Sequence, residues 1–133
     1  MAEKIDKPVP EADSTSEPFF KGGLEGKLML MRCNNCRIVR LPSRQHCDAC
    51  LSDAYKWIEA SGRGRIRTFG IMHHKYHAGF ETPYNLAVVE LEEGPRITTN
   101  IVGTANPDIR VDMPVQVEWE MHDAVALPKF RPV

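Results

Sequence analysis

The chain has 133 residues, a formal net charge of −1, 26% charged residues and four cysteines. That length suits one domain, or a small domain with a minidomain beside it. The near-neutral balance offers no basic excess to a nucleic-acid backbone, and no apolar run reaches the length of a membrane span.

The first seventeen residues are polar, rich in proline and without periodicity, so a disordered or loosely ordered tail is expected over 1–17. They open with charges and prolines where a signal peptide would carry an apolar stretch, which points to a cytoplasmic, reducing setting. "PFFKGGLEGKLMLM" follows, with Phe19, Phe20, Leu24 and Leu28 in a partial helical pattern. Gly22 and Gly23 each cost a helix about 1 kcal/mol relative to Ala. A helical segment over 18–31 therefore needs an apolar surface for Phe19 and Phe20. That surface is either a partner protein or the chain's own barrel.

All four cysteines fall in "CNNCRIVRLPSRQHCDAC" as two C-x2-C pairs ten residues apart. In a reducing compartment this pattern favours a metal over a disulfide frame. Cys33 and Cys36 form one knuckle and Cys47 and Cys50 the other, so four thiolates can surround one tetrahedral Zn²⁺. Iron with rubredoxin-type ligation is the alternative. The intervening residues read as a hairpin with Ile38, Val39 and Leu41 on strands and Pro42 and Ser43 at the turn. Arg32, Arg37, Arg40 and Arg44 offset the charge of four thiolates. His46 reads as a surface histidine. A four-thiolate site is full, so the ion holds structure and leaves no position for substrate.

From Ile66 to its last residue the chain alternates apolar and polar residues in short runs. Strands are expected near Gly64–His74, Tyr84–Leu91, Arg96–Val102, Val115–Met121 and Ala124–Phe130. In the fourth, Val115, Val117, Trp119 and Met121 face inward. Five such strands in about seventy residues suggest a small Greek-key barrel of the OB type. The fold class is thus mainly β: an N-terminal helical segment, a zinc ribbon over 32–56 and a five-stranded OB-fold barrel over 57–133. Trp57, Tyr84 and Trp119 read as core or seam residues. His73, His74 and His77 lack the completing carboxylate or cysteine that a metal or acid–base site would need. There is no G-x-S-x-G, P-loop or G-x-G-x-x-G motif.

Taken in order, "FFKGGLEGKLML", "RCNNC", "CDAC", "SGRGRIRTFG", "VVELEEGPRITTNIVG", "MPVQVEWE" and "LPKFRP" closely resemble the DUF35 proteins, from about Pro18 to Pro132. The chain departs from that pattern at Arg37, where the family often has Gly, and at Asp48, where it often has Pro. The resemblance implies an accessory subunit of a thiolase-like acyl-CoA enzyme. Such a subunit helps bind the CoA ester and orders the partner's active site for C–C cleavage or formation. The nucleophilic cysteine would belong to the partner, and no cysteine is left over here. Arg63, Arg65 and Arg67 alternate and would suit CoA phosphates, with Lys129 and Arg131 as further candidates. His74, Tyr76, His77 and Phe80 would meet the partner or its acyl pocket, as would Phe19 and Phe20. A single-stranded nucleic-acid-binding ribbon and OB module is the alternative. A free-standing hydrolase using the histidines is a third reading.

Overall fold

The computed structural model describes residues 16–41, 45–75, 78–79, 81–122 and 124–133. Residues 1–15 of the tail expected over 1–17, the Pro42–Ser43 turn, Arg44, Tyr76, His77, Phe80 and Asp123 lie outside the described residues, while Glu17 already belongs to the helix.

The helix α1 spans Glu17–Leu24, shorter than the segment expected over 18–31. Pro18 suits its first turn, where an amide donor is not needed. It stops at Gly26, which takes φ +75, and the Lys27 amide turns back to the Gly22 carbonyl at 2.8 Å. Met29–Cys33 is then a strand, β1. The two glycines that weaken the helix are buried because they let it sit close. A Cβ on Gly23 would come within 2.9 Å of the Trp119 ring, and one on Gly22 within 2.4 Å of the Met29 side chain. Phe19 packs against the core, so the apolar surface that this helix covers belongs to the chain itself.

β1 is the centre of a three-stranded antiparallel sheet, flanked by β2 (Val39–Arg40) and β3 (Tyr55–Glu59). A hairpin runs from β1 to β2 around Cys33–Cys36, with Met31 opposite Arg40. Of the residues expected on strands between the knuckles, Val39 lies on β2, while Ile38 and Leu41 flank it.

The barrel follows as β4 (Arg63–Met72), β5 (Tyr84–Leu91), β6 (Arg96–Thr99), β7 (Pro114–His122) and β8 (Val125–Pro132). Its antiparallel order is β6-β5-β4-β7-β8. Residues just past β6 meet β8 in a parallel bridge, Ile101 opposite Phe130, so the barrel is nearly closed. Inward-facing Ile66, Ala87, Val89, Val115 and Phe130 fill it. Met121 is the exception to the expected inward row. It is 57% exposed because β7 runs past the barrel into the β8 hairpin, beyond the point where Trp119 meets the helix. Leu28 and Leu30 join the same core, and the Ala60 amide bonds the Leu28 carbonyl at 2.8 Å. Ribbon and barrel thus share one apolar interior.

Closure depends on Asn85, a buried polar residue. Its side chain accepts from the Ile101 amide at 2.6 Å, donates to the Ile101 carbonyl at 2.9 Å and reaches Asn106 at 3.0 Å. It replaces the ladder that Ile101 lacks. Asn85→Ala orphans two buried backbone groups, each costing about 1–3 kcal/mol, so denaturant unfolding should show a loss of about 2–6 kcal/mol.

Candidate functional site

The four cysteines converge as their spacing suggests. Their sulfurs all lie within 4.8 Å of one another. The Cys33–Cys50 and Cys36–Cys47 sulfurs are 3.5 Å apart, with no disulfide among them. Four sulfurs each about 2.3 Å from a tetrahedral Zn²⁺ stand about 3.8 Å apart, so the cluster fits one such ion. The donor set is four soft thiols, which excludes hard cations and suits a structural metal.

The two knuckles are built alike. In each, the first cysteine's amide bonds the carbonyl five residues on, Ile38 or Ser52. In each, the residue after the second cysteine returns its amide to the first cysteine's carbonyl, Arg37 to Cys33 at 3.0 Å and Leu51 to Cys47 at 2.8 Å. That return requires positive φ, 66° at Arg37 and 65° at Leu51. The departure from glycine at Arg37 therefore keeps the left-handed turn and carries its cost.

Backbone amides released by these turns point at sulfur. The Cys36 amide lowers the pKa of Cys33, with a further contribution from Asn35. The Ala49 and Cys50 amides do the same for Cys47, and the Asn35 side chain and Ser52 amide for Cys50. Cys36 receives the Ile38 amide, but burial and the three neighbouring sulfurs outweigh it and push the thiol up to about 12. Four ionised sulfurs this close need a cation among them. His46 is exposed and stands apart from the cluster.

A second feature lies on the outer barrel face. Arg63, Arg65 and Arg67 line a groove of about 550 Å³ with Glu90, Glu92 and Gln116. Gly64 forms its floor, where a Cβ would lie 2.5 Å from the Glu90 carbonyl oxygen. Arg63 and Arg65 alternate regularly, but the pairing slips between Ile66 and Thr68, leaving Arg67 on a bulge. Arg67 is held by Glu90 and, at 3.0 Å, by Asp112, and Glu90 then Asp112 raise its pKa further. Arg65 donates to the Asp112 carbonyl at 3.1 Å. Arg131 sits opposite Gln116, which sits opposite Arg63, so these three form one exposed row. Lys129 is half-buried and bonded to Asn100 at 2.5 Å. Sequence reasoning missed Asp112 and Glu90, since nothing in their local pattern points at Arg67.

The other candidates scatter. His73 and His74 are exposed where β4 ends, and no metal cluster other than the cysteines occurs among the described residues. Phe20 is half-buried on α1, edge-on to Phe19 at 5.5 Å. No helix among the described residues is long and apolar enough to cross a membrane.

Comparison with known proteins adds three kinds of finding. The family described as "ChsH2, rubredoxin-like zinc ribbon domain" matches residues 20–56, and "ChsH2, C-terminal OB-fold domain" matches 57–120. The "Probable enoyl-CoA hydratase alpha subunit" of Thermomonospora curvata is 36% identical over 95% of this chain, which spans 40% of that protein. A "DUF35 domain-containing scaffold protein" of Methanocaldococcus jannaschii is 38% identical over 67% of this chain and 64% of its own length. The "Benzoylsuccinyl-CoA thiolase subunit BbsA" of Thauera aromatica is 25% identical over 86% of this chain and 75% of its own. This chain therefore spans less than two thirds of the first two relatives. Among solved structures, a chain of an "Ltp2-ChsH2(DUF35) aldolase" superposes with a TM-score of 0.84 at 36% identity, covering 93% of this chain and 98% of that one.

Two outcomes follow from the knuckle geometry. Cys47→Ser should bring bound metal, read by elemental analysis, well below one ion per chain and lower the melting temperature, as should a strong chelator. Leu51 is 76% exposed, so Leu51→Gly removes a left-handed strain of about 1–2 kcal/mol at little packing loss. Glycine's greater unfolded-state freedom takes back about half, and metal-loaded protein should gain about 0.5–1 kcal/mol in thermal unfolding.

Proposed function

This chain belongs to the DUF35 family, and on that premise we propose that it is a non-catalytic accessory subunit of a thiolase-like acyl-CoA enzyme. The observation that carries the reading is its match, over 98% of the relative's chain, to the DUF35 component of a solved aldolase. A relative named as a subunit of a benzoylsuccinyl-CoA thiolase supports the same class of partner. The residue inventory agrees with it. All four cysteines are gathered in one cluster, so none is left to act as a nucleophile. His73 and His74 are exposed and belong to no metal-ligand cluster among the described residues.

The ion in the cluster is Zn²⁺, held by Cys33, Cys36, Cys47 and Cys50, and it supplies fold rather than chemistry. A reducing cytoplasm keeps those thiolates available. The chain's own contribution to the reaction is charge and position. Arg63 and Arg65 present guanidiniums in the barrel groove, with Arg131 in the exposed row beside it, where a fork geometry suits the phosphates of CoA. Arg67 is committed to Glu90 and Asp112, so it shapes the groove and holds the 112 loop against β4. Lys129 is likewise engaged with Asn100 and is the weaker candidate. The partner meets the chain at Phe20 on α1 or at His74 past the end of β4, and its active site supplies the residues that cleave or form the C–C bond.

Isolation of the full chain from its source cell should yield a stoichiometric complex with a thiolase-fold protein that turns over an acyl-CoA only when both subunits are present. Turnover of acyl-CoA by the chain alone would overturn the accessory role. In the complex, Arg65→Ala with Arg131→Ala should raise KM for the CoA ester by about tenfold or more, each lost charged hydrogen bond being worth about 1.5–3 kcal/mol, with kcat nearly unchanged. An unchanged KM removes the groove from the proposal.

A further inference from the structure

The zinc-ribbon sheet carries a charge arrangement that its fold does not need. Arg32 of β1 stands directly opposite Lys56 of β3 in the antiparallel register. Like charges at such a position repel and destabilise the sheet. Arg37 comes in from the first knuckle, and the three cations line one concavity of about 260 Å³ with Cys33 and Asn34. No carboxylate lines it, and none of the three cations makes an ion pair among the described residues.

Neutralising the thiolates does not account for the Arg32–Lys56 pair. Arg32 and Cys33 are consecutive in β1, so their side chains leave opposite faces of the sheet. Cys33 turns inward to the cluster, fully buried, while Lys56 is exposed and Arg32 half-buried on the other side. An anion placed between Arg32 and Lys56 would relieve their repulsion.

We propose that Arg32, Lys56 and Arg37 form an anion-binding pocket on the zinc ribbon that takes a phosphate or diphosphate group. The size favours a small ion over a protein surface, since the pocket is smaller than the roughly 300–1,000 Å³ clefts that hold drug-sized ligands. The composition favours phosphate: two guanidinium forks and one ammonium give convergent donors for several oxygens at once. The pocket lies on the ribbon sheet, separate from the arginine groove of the barrel.

The test is calorimetric titration of inorganic pyrophosphate into the metal-loaded full chain at constant ionic strength, in an Arg63→Gln, Arg65→Gln background that disables the barrel groove. Saturable one-to-one binding is expected. Arg32→Gln with Lys56→Gln should weaken it at least tenfold while metal content stays at one ion per chain. Arg37→Gly preserves the left-handed turn, so a threefold or greater weakening there confirms the third cation. Absence of saturable binding in the parent overturns the proposal, as does binding that the Arg32 and Lys56 substitutions leave unmoved. Loss of metal from the Arg32/Lys56 variant also overturns it, because the cations would then be serving the thiolates. None of these outcomes depends on a partner enzyme, so the accessory-subunit reading stands or falls separately.

Discussion

Four sulfurs within 4.8 Å of one another cannot all ionise without a cation among them, and the ribbon is arranged around that constraint. Both knuckles accept a left-handed residue so that their amides can turn toward sulfur. The same turns set the direction in which β1 hands the chain to β2, and the second knuckle hands it on to β3. A three-stranded sheet with a two-residue edge strand has too little core to stand alone. The metal cluster closes one end of it, and the barrel's apolar interior, reached through Leu28 and Leu30, closes the other.

That shared interior also explains the helix. An eight-residue helix with two adjacent glycines has little stability of its own. Its glycines make it a thin cover, able to approach Trp119 and the Ala126 carbonyl more closely than any residue with a Cβ. Phe19 then fills the space that a bulkier helix would have blocked. Helix, ribbon and barrel therefore behave as one packed unit. Placed against a larger enzyme, such a unit offers rigid surfaces instead of a flexible tether.

The outer barrel face separates arginines that look equivalent along the strand. A bulge displaces Arg67 into a bridge between Glu90 and Asp112, while Arg63 keeps its place in an exposed row with Gln116 and Arg131. Paired charges of this kind contribute modestly to stability but fix geometry. Arg63 and Arg131 stand outside that bridge, and Arg65 is held only by the Asp112 carbonyl, so none of the three has its charge neutralised by a carboxylate among the described residues.

The metal cluster was legible in the sequence because its information is local: two C-x2-C pairs state ligand type, number and spacing within eighteen residues. The barrel strands were nearly as legible, since period-two alternation records which face of a strand is buried. Tertiary structure alone decided the rest. Glu90 and Asp112 are 23 and 45 residues from Arg67, Lys56 is far along the chain from Arg32, and Asn85 closes the barrel at Ile101. The end of α1 at Leu24 and the exposure of Met121 likewise depend on which surface each meets. Periodicity encodes a residue's own burial. It carries nothing about which distant charge will stand opposite, because register and bulges between strands set that only once the chain has folded.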